Sequence, residues 1–207
     1  MLHSSSVPLE NRLLAWLRRY ADDNPAVTIE VSQASSETQA LDIHEGRADL
    51  GLACEPILRR HGGVRHAPLH EEPLVGLVPA DHALAGRTRI ALAELRAERF
   101  VATPHLERGG LSHRVAELCA AAGFEPFPAS VRSRKWTQLA LVQGGFGVAV
   151  VPESMGRLAP EGVRVLRLGE TCTTAVVALW RHDAPARVQR FAGALLHAME
   201  RTVSAPS

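Results

Sequence analysis

The chain has 207 residues, 46% of them hydrophobic and 22% charged, with a formal net charge of +1. That length buries a substantial core as one large domain or two small lobes, and so even a charge balance leaves no basic footprint for nucleic acid. Cys54, Cys119 and Cys172 are too far apart for a CxxC motif and odd in number for a disulfide framework, and no apolar run approaches the roughly 20 residues of a membrane span.

Residues 11–21 place Leu13, Leu14, Trp16, Leu17 and Tyr20 at helical spacing with arginines opposite. The Asn24-Pro25 turn predicts the end of that helix, and residues 27–31 (VTIEV) a strand. Ser35 and Ser36 open a second helix through about Glu45, closed by Gly46. A short apolar strand follows at 48–53, then strands at 64–69 and 74–79, a short helix at 91–95 and a strand at 99–103. A helix at 111–122 stops at Gly123, a strand lies near 129–131, and a helix runs from Lys135 to Gln143. The GGFG turn leads into strand 148–152; strands at 164–168 and 173–180 precede a closing amphipathic helix at 186–200.

Strands alternating with helices at these lengths predict an α/β fold of βαβ units and mostly parallel sheets. The paired strands at 64–79 and 164–180 come without intervening helices, which suits two halves joined by long crossovers. Ligands in such folds bind at strand C-terminal ends, where helix N-termini point into the crevice.

Three segments carry a family resemblance. RYADDNPAVTIEVSQASSETQALDIHEGRADLGLA, EPLVGLVPADHALAGR and GFEPFPASVRSRKWTQLALVQGGFGVAVVPE follow one another in the order and spacing of the effector-binding domain of LysR-type transcriptional regulators. The resemblance runs from about Arg12 to the closing helix. It implies two Rossmann-like lobes of the periplasmic-binding-protein type 2, with residues 1–72 plus 176–207 in the first lobe and 73–175 in the second. Against that pattern the winged helix-turn-helix of such regulators is absent from this sequence, and the first strand is shortened to Met1, Leu2 and His3.

The same resemblance carries effector contacts onto Ser4, Ser5 and Ser6 after the first strand. Ser36 with Gln39 makes a capping-box pattern, and the family places a ligand-contacting hydroxyl at Ser35 or Ser36; a helix cap alone explains the same residues. In the second lobe Thr103 and His105 follow a strand into the loop that the family turns toward its ligand. Arg134 and Trp136, beside Arg132 and Lys135, would offer bidentate cation contacts and an aromatic wall to an acidic ligand, although a solvated basic surface accounts for them equally. Ten histidines invite a metal reading, but His66 and His70 lie about 13 Å apart along one face of a strand. With no GxSxG elbow, P-loop or HExxH, neither an enzyme nor a cofactor is expected.

The sequence therefore predicts a cytoplasmic effector sensor for a small, anionic organic ligand, acting on DNA only through an N-terminal domain and without membrane attachment. A secreted solute-binding protein of the same architecture is the alternative. The resemblance further implies a homodimer through Arg12, Trp16 and Arg19 of the first helix and Val115 and Leu118 of the helix at 111–122.

Overall fold

A computed structural model describes residues 2–4, 11–102, 104–133, 137–169 and 171–200, the side chains of 3, 4, 11, 12 and 200 excepted. In chain order the elements are β1 (Leu2–Ser4), α1 (Asn11–Asp23), β2 (Val31–Gln33), α2 (Ser36–His44), β3 (Leu50–Cys54), β4 (Val64–Pro79) and β5 (Arg99–Phe100). There follow α3 (Gly110–Ala121), β6 (Phe127–Pro128), α4 (Thr137–Gln143), β7 (Ala149–Pro152), α5 (Glu153–Gly156), β8 (Val163–Arg167), β9 (Thr173–Arg181) and α6 (Ala186–Glu200). Short 3-10 turns lie at Leu92–Leu95 and Leu106–Arg108.

The chain divides into two compact units, Met1–Glu71 with Ala175–Ser207, and Glu72–Thr174. In the first, β1 pairs in parallel with β2 and β3, and β3 pairs antiparallel with β9. Short as it is, β1 is the centre of that parallel trio, and Leu2 is buried. Helix α2 packs Ala40 and Ile43 on Ala53, Val177 and Leu179. Between α1 and α6 sits an aromatic cluster in which the Trp16 and Phe191 rings meet edge to face at 5.1 Å, with Tyr20 4.8 Å from Phe191.

In the second unit β4 pairs antiparallel with both β7 and β8, while β5 and β6 form a short parallel pair. One core layer joins Leu74, Phe100, Val115, Cys119 and Leu166; another joins Val75, Leu77, Val142, Val151 and Met155. Each buried Leu or Val there contributes roughly 1.5–3 kcal/mol by leaving water.

Three expectations are corrected. The sheets are mixed rather than mostly parallel, because β4 and β9 arrive without a crossover helix and run against β7, β8 and β3. The strand expected at 27–31 forms instead at Val31–Gln33, where β1 supplies a partner; Val27 is held in the preceding turn by its N–H bond to the Asn24 carbonyl. The two strands expected at 64–69 and 74–79 are one strand of 16 residues that passes from the first unit into the second.

Candidate functional site

Strands β1, β2 and β3 run parallel, so Ser4, Gln33 and Cys54 end at the same edge of the first unit's sheet. The loop after β2 turns into α2 there. Ser35 is the N-cap: its hydroxyl accepts the Thr38 N–H at 3.2 Å and lies 2.7 Å from the Thr38 hydroxyl. The expected capping box of Ser36 with Gln39 is not formed, because Gln39 is turned inward and fully buried, its amide donating to the carbonyls of Ala34 and Leu52 at 3.1 Å each. Ser36 is only 6% exposed, and its hydroxyl has no hydrogen-bond partner among the described residues. One residue on, the Glu37 carboxylate accepts the N–H groups of Leu58 and Arg59 at 2.7 and 3.1 Å, pinning the loop after β3 against the start of α2. The result is a helix N-terminus whose Ser36 hydroxyl bonds no described residue, the arrangement that favours an anionic ligand.

In the second unit the Val101 N–H donates to the Val148 carbonyl, the Ala129 N–H to the Phe100 carbonyl and the Ser133 N–H to the Val101 carbonyl. These bonds bring residues 101–102 and 129–133 to the ends of β5 and β6. His105 lies beyond, exposed, its backbone N–H donating to the Ser112 hydroxyl at 2.9 Å. Ser5, Ser6, Thr103, Arg134 and Trp136 lie outside the described residues, as do the side chains of Ser4 and Arg12. The visible candidates thus resolve into Ser35 and Ser36 on one helix start in the first unit and His105 on a loop of the second.

Two residues expected at a dimer face are interior ones. Trp16 is buried against Phe191, and Val115 is 2% exposed in its own unit's core. Aromatic and β-branched side chains at helical spacing served the unit's own packing first. Arg19 is exposed and Leu118 half-buried.

Sequence reasoning missed Glu37 and gave Gln39 a capping role in place of its inward one, because both roles depend on the loops after β2 and β3. It also missed buried Glu72, whose carboxylate accepts the Ser154 N–H at 2.6 Å at the start of α5. A further pocket of the first unit is lined by Glu55, Arg60, His66, His70 and Val176. Burial there lowers the pKa of His66 below 6.5, neighbouring Arg60 adds to the fall and Glu55 opposes it. All three cysteines are buried and none is in a disulfide; burial, reinforced by Cys172, pushes the Cys119 thiol up to about 12. Among the described residues no trio of His, Cys, Asp or Glu is placed to hold a metal ion, and no helix is long and apolar enough to cross a membrane.

The fold is that of effector-binding domains. The effector-binding domain of QuiR in complex with shikimate superposes with a TM-score of 0.82 at 16% identity, covering 97% of this chain and 96% of that one. The BenM effector-binding domain with its effector benzoate gives 0.76 at 20% identity over 97% of this chain and 90% of that one. Residues 2–200 match the LysR substrate binding domain model, and the chain belongs to that family. It is 28% identical over 202 residues, 95% of its length, to the HTH-type transcriptional regulator YnfL of Escherichia coli (strain K12), of whose length it spans 66%.

Proposed function

We propose that this chain is the effector-sensing part of a LysR-type transcriptional regulator, which binds a small organic anion and passes the resulting change to a DNA-binding domain. The observation that carries the reading is Ser36: a largely buried residue whose hydroxyl bonds no described residue, on the first turn of a helix at the carboxyl edge of three parallel strands. A carboxylate placed there meets the open N–H groups of the first turn and the helix dipole. The likeness to domains that hold benzoate and shikimate supports a carboxylate as the ligand class. Ser4, Ser5, Ser6 and Ser35 are the further contacts that the first unit offers in this reading, and Thr103, His105, Arg134 and Trp136 are the candidates that the second unit offers by itself.

Binding acts by differential affinity: the effector shifts the regulator only as far as it prefers one conformation over the other. Family membership favours this sensor over a secreted solute-binding protein, and a cytoplasmic address, the absence of catalysis and a homodimer belong to the same reading. With Trp16 and Val115 interior, the dimer face would use Arg12, Arg19, the exposed Leu14 and the half-buried Leu118.

The test is calorimetry of the chain against a panel of small carboxylates that includes benzoate and shikimate. A ligand from that panel binds the native chain, and Ser36→Ala weakens it by about 1.5–3 kcal/mol, the worth of one hydrogen bond to a charged group. Unchanged affinity in Ser36→Ala removes the site from this edge.

A further inference from the structure

The second unit carries a groove, lined by the loop Ala85–Arg89, strand β8 and helix α5, in which five arginines converge: Arg87, Arg89, Arg157, Arg164 and Arg167. Two of them are answered within the fold, Arg157 by Glu153 at 2.8 Å and Arg87 by Glu94 at 2.9 Å. Arg89, Arg164 and Arg167 are exposed and form no ion pair among the described residues. The whole chain carries a net charge of +1, so this cluster is a local concentration of charge rather than a sample of the surface.

Its backbone makes the concentration costly. Arg89 and Arg167 are direct partners across a parallel bridge, held by the Arg167 N–H on the Thr88 carbonyl and the Ile90 N–H on the Arg167 carbonyl. Like charges directly opposite one another destabilise a sheet pair. No carboxylate among the described residues relieves this one, so an anion from outside would be bound where it removes an existing repulsion. The floor is apolar: Val75, Ala159, Val163 and Val165 line it, and Val165 is 39% exposed.

We propose that this groove docks an acidic segment of a partner protein in which carboxylates are interspersed with apolar side chains. Guanidinium groups suit carboxylates through bidentate hydrogen bonds, and the valine floor suits the apolar residues between them. The phosphate backbone of a nucleic acid would satisfy the arginines and leave that floor uncovered. This surface lies in the second unit alone and does not depend on the effector site at Ser36.

The test is fluorescence anisotropy with a labelled short peptide alternating glutamate and leucine, titrated with the full chain. Binding is expected and should weaken as salt rises, as exposed charge pairs do. A variant combining Arg89→Gln, Arg164→Gln and Arg167→Gln should bind about tenfold or more weakly, in line with losing several charge-assisted contacts. Its melting temperature should not fall, because the substitutions relieve a repulsion. Arg164→Gln alone, outside the bridge, should cost about threefold and keeps the test open should the triple variant unfold. A peptide of glutamate alone should bind more weakly than the alternating one. Failure of the alternating peptide to bind, or equal affinity in the variants, overturns the proposal. Duplex DNA displacing the peptide at equal or lower concentration overturns the acidic-peptide assignment in favour of a phosphate-backbone surface.

Discussion

The side chain of Gln39 lies directly over Gly51: a Cβ on that glycine would stand 2.6 Å from Gln39 Oε1 and 2.9 Å from the Ile43 side chain. Gln39 is not free to withdraw, because its amide is tied to the carbonyls of Ala34 and Leu52. This packing holds the start of α2 against β3. Gly51→Ala should therefore destabilise the chain by about 1–3 kcal/mol, the usual cost of forcing an extra methyl into a filled core. Chemical denaturation reads it, and a midpoint unchanged from the native chain would show that Gln39 gives way more easily than its hydrogen bonds allow.

Gly147 is the corresponding contact in the second unit. Its φ of +151° lies where side chains are rarely found, and a Cβ would sit 2.2 Å from the Arg99 carbonyl oxygen, the acceptor of the Val148 N–H. Gly147→Ala should cost more than Gly51→Ala, since backbone rather than side chain blocks the new methyl, with a loss of about 3 kcal/mol or more. The ranking of the two denaturation midpoints checks this, and the reverse order would contradict it.

Neighbouring serines should behave differently. Ser35→Ala removes the cap on Thr38 and should lower stability by about 1 kcal/mol. Ser36→Ala removes a hydroxyl with no partner among the described residues and should leave stability within about 0.5 kcal/mol of native. Thermal melts of both variants, taken without ligand, separate the capping serine from the one assigned to the effector.

High pH should expose the buried thiol of Cys119. Folding holds it neutral up to about 12, whereas an unfolded thiol ionises near 9.0. The stability it contributes is whole below its unfolded pKa and is lost as pH climbs toward the folded one. Denaturation midpoints should fall across that window, and less steeply in Cys119→Ala than in the native chain. Identical slopes would mean that Cys119 does not carry the effect.

The sequence by itself determined the elements whose pattern is local. Helices α1 and α6 show their apolar faces at 3.6-residue spacing, and the glycine after α2, Gly46, takes the positive φ of 75° that a helix end requires. The family was legible for a similar reason, since it rests on ordered short motifs. Relationships between residues distant along the chain were decided only by the tertiary structure. Which serine caps α2 depends on Gln39 being drawn inward by the Leu52 carbonyl, 13 residues away. That Trp16 packs on Phe191 depends on α6 docking beside α1, and the position of β2 depends on where β1 offers a partner. The arginines of the second unit are scattered from 87 to 167 and read as solvated surface until the bridge between Arg89 and Arg167 brings them together. Short-range sterics and periodicity are written into consecutive residues, whereas the burial of one particular side chain is settled by whatever the fold sets against it.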